Sequence, residues 1–198
     1  MKSKQEEIID IAAGLFHEYG FKGTTLQMIA QKMNMEAPSL YNHINSKDQI
    51  LSEILLPVAK AFMTKMDQIS SSQVSALDKL ERLISFHVSL SREKPHHMAL
   101  MIHDWHYLKE KEKEAFIAHR NTYEDKFVAI IQRSVENGQI RDLDVCIILF
   151  NLLTTLRSMY AFVLRYKDYN TIDLEENIKN VLLNGIKKDS HGLGTSMG

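Results

Sequence analysis

An all-α protein is predicted, with a small N-terminal helix-turn-helix head of three helices and a larger helical body, about nine helices in all. Three features predict it. Apolar residues recur at helical spacing along most of the 198 residues. The segments so marked are separated by start and stop signals: Gly20, Asn34, Ser46, Pro95 and Asn137-Gly138. No stretch shows the strict apolar–polar alternation of a half-buried strand.

The first helix is expected over 4–19, where Ile8, Ala12, Leu15, Phe16 and Tyr19 share a stripe and Gly20 ends it. Thr24 stands three residues before Gln27, the spacing of a capping box that would open the second helix. Leu26, Ile29, Ala30 and Met33 form its inner face, up to Asn34. A third short helix is expected from Ala37-Pro38, because proline suits a first helical turn. Leu40, Tyr41 and Ile44 would supply its inner face. Ser46 and Gln49 repeat the capping-box spacing. Two short helices at a sharp angle, the second polar on its outer face, describe a helix-turn-helix.

The spaced residues Gly23-Thr24-Thr25, Ile29-Ala30, Ser39-Leu40-Tyr41, His43-Ile44, Lys47 and Ile50-Leu51 resemble the DNA-binding signature of TetR-type transcriptional regulators, over roughly residues 4–55. Beyond that the resemblance is one of length and helical layout. One departure is Asn42, where the family usually carries an aromatic residue. The resemblance implies a regulator, most simply a repressor, that binds double-stranded operator DNA as a homodimer and answers a small hydrophobic or amphipathic effector. The expected DNA contacts are Thr24, Thr25, Ser39, Tyr41, Asn42, His43 and Lys47. Tyr41 resembles the family's phosphate-contacting tyrosine, and Asn42 could pair with an adenine edge.

Charge sets a bound on this reading. Residues 1–50 carry five lysines and no arginine against six acidic groups, so non-specific attraction to phosphate is weak. Binding must then rest on a local patch and on helix N-termini. Cys146, the single cysteine, excludes an internal disulfide framework and fits a reducing cytoplasm; its apolar neighbours predict burial. Lys2 and Lys4 lead into an amphipathic segment with acids, unlike a secretory leader.

The body continues in order. Leu51, Ile54, Leu55, Val58, Phe62, Met66 and Ile69 mark a long helix from Asp48, with Pro57 inside it. A mid-helix proline costs about 3 kcal/mol, so a kink is expected there. Leu77–Leu90 and Pro95–Lys109 are expected as helices, then Ala115–Glu136 after a charged run. Val145–Leu164 is apolar on nearly every face. Asn151, Thr154, Thr155, Arg157 and Ser158 argue against a transmembrane span. Such a helix must be covered on two sides, by its own core and by a second subunit. With Thr171–Ile186 it would form a four-helix bundle between two chains, through Leu149, Leu152, Leu156, Ile178 and Leu182. The expected division is a DNA-binding head at 1–47, a ligand-binding and dimerisation body at 48–187, and an irregular tail at 188–198.

For the effector, the mixture of flexible, aromatic and a few polar groups on inward faces suits a pocket between helices. The candidates are His87, Met101, Trp105, Arg120, Tyr123, Phe127, Arg157, Met159 and Phe162, with the two arginines able to receive an anionic group. The body resembles, faintly, family members that sense acyl thioesters or fatty acids. Four of the nine histidines fall within 96–106, and His96, His103 and His106 share a helical face. Spacing alone does not make them a metal site, and no metal or other cofactor is expected. No phosphate loop, nucleophile motif or carboxylate pair suggests an enzyme. The remaining alternative is a helical adaptor that binds protein or membrane without DNA.

Overall fold

The computed structural model describes residues 3–186, which form nine α-helices and one short 3-10 turn. The tail expected from residue 188 lies outside the described residues. The helices are α1 (Lys4–Tyr19), α2 (Leu26–Lys32), α3 (Ala37–Tyr41), α4 (Lys47–Ser71), α5 (Ala76–Glu93), α6 (Pro95–His103), α7 (Glu110–Glu136), α8 (Val145–Arg165) and α9 (Thr171–Asn184). The 3-10 turn covers Trp105–Tyr107, between α6 and α7.

Caps explain most of the boundaries. Ser3 and Glu6 form a capping box on α1, and Ser75 and Asp78 form one on α5. Each such cap is worth about 1 kcal/mol. Helix α2 ends in a Schellman motif: Asn34 takes the left-handed conformation, and the Met35 and Asn34 N–H groups donate to the Ala30 and Gln31 carbonyls. Helix α7 ends the same way, with Gly138 at positive φ and its N–H and that of Gln139 donating to Val135 and Ser134. At Ser46 the cap holds, but the Gln49 side chain reaches the Asn45 N–H instead of completing the box.

One local expectation changes. The helix expected to run to Lys109 ends at His103, and Trp105 sits in the 3-10 turn. The charged run 109–114, expected as a solvated helix start or linker, is a helix start: Lys109 is the N-cap of α7 and Glu110 its first residue. Helix α4 contains Pro57 within one element of 25 residues, at the helix-interior position expected for it, and the proline lies on the exposed side.

Two apolar cores form. One gathers α1, α2, α3 and the first half of α4, through Ile8, Phe16, Ile29, Leu40, Ile50 and Leu51. The other gathers the second half of α4 with α5 to α9, through Phe62, Leu80, Leu83, Phe127, Leu152 and Leu156. Helix α4 therefore belongs to both. Leu100, Leu108 and Phe116 reach from the body into the first core, and Phe21 stacks on Tyr107 at 5.2 Å. The head is thus docked on the body through packed side chains.

Helix α8 is long and apolar enough, by length and composition, to cross a membrane. Here one side of it, Ile148, Leu152, Leu153, Leu156 and Met159, is buried in the body. Two expected interface residues are therefore corrected: Leu152 and Leu156 fill their own chain's core. Leu149, Ile178 and Leu182 are partly buried against the same core. The apolar side chains that do face outward are Phe150, 66% exposed, with Ile147 on α8 and Ile172 and Val181 on α9. Cys146 is exposed, against expectation, because the first turn of α8 turns it away from the core.

Candidate nucleic-acid interface and effector cavity

Helix α3 and the turn after it ride on Leu40 and Ile44, both fully buried, which leaves Ser39, Tyr41, Asn42 and His43 facing outward. Tyr41 was expected partly on the inner face and is 55% exposed. Asn42 is the C-cap of α3. Thr25, exposed, is the N-cap of α2 and its hydroxyl accepts the Met28 N–H at 3.2 Å. The start of α2 thus lies one residue beyond the expected box, and Gln27 stays exposed without that role.

Two expected DNA contacts are corrected by geometry. Thr24 has no exposed surface, and its hydroxyl donates inward to the Gly20 and Leu15 carbonyls, at 2.9 and 3.1 Å. It fastens the α1–α2 turn. Lys47 does not hold its ammonium free for phosphate. The Nζ donates to the Phe21 carbonyl at 2.6 Å and the Thr24 carbonyl at 2.9 Å, and lies 4.6 Å from the Phe21 ring centre. The first residue of α4 therefore clamps the same turn from the other side. An ammonium has three donors and no geometric preference, which suits a knot of carbonyls.

In the body, α4, α5, α6, α7 and α8 enclose a cavity in which about 120 Å³ is open to the centre of a water molecule. Six of the expected ligand residues line it: His87, Met101, Trp105, Arg120, Tyr123 and Arg157. Three do not. Phe127 and Met159 are buried in the core behind it, and Phe162 packs on Tyr166 and Tyr169 at the far end of α8. The sequence reading missed Ala59, Phe62, Met63, Ile102, Phe116, His119 and Leu153. Phe116 and His119 could have been found, since they share one stripe of α7 with Arg120 and Tyr123. The α4 residues could not, because nothing local says which side of α4 turns to the cavity.

The buried end of the cavity is nearly apolar, and burial governs its titratable groups. His87 is held neutral, its pKa lowered to about 3 by desolvation and then by the Arg157 charge. Desolvation raises the Tyr123 hydroxyl well above its usual range, so it stays protonated. The two bond to each other at 2.9 Å. The charges stand nearer solvent: Arg157 pairs with Glu124, and Arg120 lies 4.8 Å over the Trp105 ring.

Residues 8–54 match the bacterial regulatory protein family tetR, and residues 73–161 match the tetracyclin repressor-like C-terminal domain. The HTH-type transcriptional repressor KstR2 of Mycolicibacterium smegmatis is 31% identical over 147 residues, covering 72% of this chain and 71% of that protein. The chain belongs to the TetR family. It is a DNA-binding transcriptional regulator of the ligand-responsive TetR type. The fatty acid metabolism regulator protein of Bacillus subtilis is 22% identical over 192 residues, covering 93% of this chain and 96% of that one. The solved structure of the ketosteroid transcriptional regulator KstR2 of Mycobacterium tuberculosis shares the fold, with a TM-score of 0.83, 21% identity, and coverage of 96% and 97%.

The histidine-rich stretch does not converge on one point. His103 Nε2 lies 2.6 Å from the Tyr160 hydroxyl, His96 sits beside His17, and His106 packs on Tyr107. Among the described residues, no group of three or more histidine, cysteine or acidic side chains is placed to hold a metal ion.

Proposed function

We propose that this TetR-family chain is a repressor that binds a palindromic operator as a homodimer and leaves it when a small apolar or amphipathic effector enters the body cavity. In this reading residues 1–47 form the DNA-binding head and 48–187 the ligand-binding and dimerisation body. The observation that carries it is helix α3. Leu40 in the helix and Ile44 just after it anchor it to the head core while Ser39, Tyr41, Asn42 and His43 stand outward and Thr25 is exposed at the start of α2. Short and planar polar groups on a firmly seated helix suit base edges and phosphates.

The two-fold partner is supported by the outward apolar residues of α8 and α9, which a lone chain leaves in water. Two heads would then meet successive major grooves about 34–36 Å apart. Repression is the role named for the KstR2 relative. The effector shifts DNA affinity only by its unequal affinity for two head spacings. Helix α4 is suited to couple them, since its first half lies in the head core and Ala59, Phe62 and Met63 line the cavity.

The test is titration of the full chain against duplex from the promoter region beside its own coding sequence. The expected result is binding about a thousandfold tighter than to shuffled duplex, lost as salt rises. Equal affinity for both duplexes would refute the regulator reading.

A further inference from the structure

The buried wall of the cavity holds one polar pair, and that pair is incomplete. His87 Nε2 and the Tyr123 hydroxyl bond at 2.9 Å, while His87 Nδ1 is shut off from solvent with no hydrogen-bond partner among the described residues. A neutral imidazole carries one donor nitrogen and one acceptor nitrogen. If the Tyr123 hydroxyl donates to Nε2, then Nδ1–H is an unused donor. If Nε2–H donates to Tyr123, the tyrosine O–H is the unused donor. Either tautomer leaves one proton of this buried pair without an acceptor, a state that buried polar groups rarely keep.

The surroundings restrict what can complete it. Ala59, Phe62, Phe116 and Leu153 form the rest of the buried lining, and the Phe62 ring stands 4.7 Å from His87. An anion at this point would meet a histidine that burial keeps uncharged, with its pKa lowered to about 3. The nearest cation on α8, Arg157, is already paired with Glu124 from α7, and Arg120 is stacked on Trp105. His119, also on α7, lies at the exposed end.

We infer that the effector sets an uncharged carbonyl oxygen against the His87–Tyr123 pair, with its hydrocarbon part on Phe62 and Leu153. This rests on the cavity being the effector site. Such a ligand completes the pair's hydrogen bonding and covers the apolar wall in one step. A free carboxylate end is disfavoured at this position, and any anionic part belongs at the exposed end, near Arg120 and His119.

The test uses three probes of nearly one shape: methyl isobutyl ketone, its hydrocarbon isostere diisopropylmethane, and the isovalerate anion. Each is titrated into the full chain by calorimetry, and the imidazole nitrogens are followed by nitrogen-15 NMR. One neutral hydrogen bond gives about a fivefold preference for the ketone over the hydrocarbon. Isovalerate should bind at least about tenfold more weakly than the ketone, because its charge would be buried unpaired. The ketone should move the His87 ring nitrogens, and His87→Phe should bring ketone and hydrocarbon within about twofold. If His87→Phe does not fold, the wild-type nitrogen shift and the three affinities decide by themselves. Equal affinity for ketone and hydrocarbon, tightest binding of isovalerate, or no binding of any probe would each overturn the inference. Operator binding measured on the same protein separates the failures: if it is intact, only this inference falls; if it is absent, the regulator reading falls.

Discussion

Phe150→Asp should dissociate the proposed dimer and leave the monomer folded. Phe150 is 66% exposed in the single chain, so its ring contributes little to that chain's own core. Full burial of a phenylalanine is worth up to about 3 kcal/mol, and two-thirds of that is about 2 kcal/mol per copy. A two-fold interface contains the residue twice, which makes about 4 kcal/mol lost and about a thousandfold rise in the dimer dissociation constant. Burying two carboxylates adds further cost. Sedimentation equilibrium over a concentration series reads the constant directly, and urea denaturation at low protein concentration reads the monomer. Leu156→Asp is the contrast: Leu156 has no exposed surface, so that change should unfold the body whatever the oligomeric state. A Phe150→Asp protein that dimerises as tightly as the parent would refute the placement of the interface on this face. One that unfolds would show that Phe150 supports its own chain after all.

Tyr41→Ala should lose operator binding by at least about tenfold while dimerisation is unchanged, since Tyr41 stands outside every core contact; retained binding in a mobility-shift titration would move the DNA surface elsewhere. Lys47→Met removes three charge-assisted bonds, one of them long, from a part-buried site, costing about 2 kcal/mol, and should speed amide exchange in α2 by about thirtyfold. A pure phosphate contact would leave exchange unchanged and lower the salt slope of DNA binding by about one. The buried neutral His87 should make the chain acid-labile. Its folded pKa is depressed, so the unfolded chain binds the extra proton, and stability present above pH 6.5 is lost as pH falls toward about 3. The wild-type advantage over His87→Gln in urea denaturation should shrink by up to about 1.4 kcal/mol per pH unit across that window; parallel profiles would refute it.

The head was legible because its signals are local. A left-handed Asn34, a proline in the first turn of α3 and apolar residues a turn apart act within a few residues of each other, so they can be read without the rest of the chain. Six of the thirteen cavity residues were legible for a weaker reason: inward faces of amphipathic helices can be listed, and a cavity between them draws on that list. Thr24 and Lys47 show where this fails. Each is polar and sits at a helix start, which fits a phosphate contact as well as a turn clamp, and only the position of the Phe21 and Gly20 carbonyls separates the two.

The pattern of residues alone determined that the chain is helical, where most helices begin and end, and that a helix-turn-helix stands near its N-terminus. Tertiary structure decided which side of α8 faces its own core, turning Leu152 and Leu156 inward and Phe150 outward. It also decided that His87 and Tyr123, 36 residues apart, share one buried bond. The reason is that backbone hydrogen bonding and helix periodicity are settled over one or two turns. The side that a uniformly apolar helix buries is settled only by which neighbours remove it from water, and those lie far away along the chain.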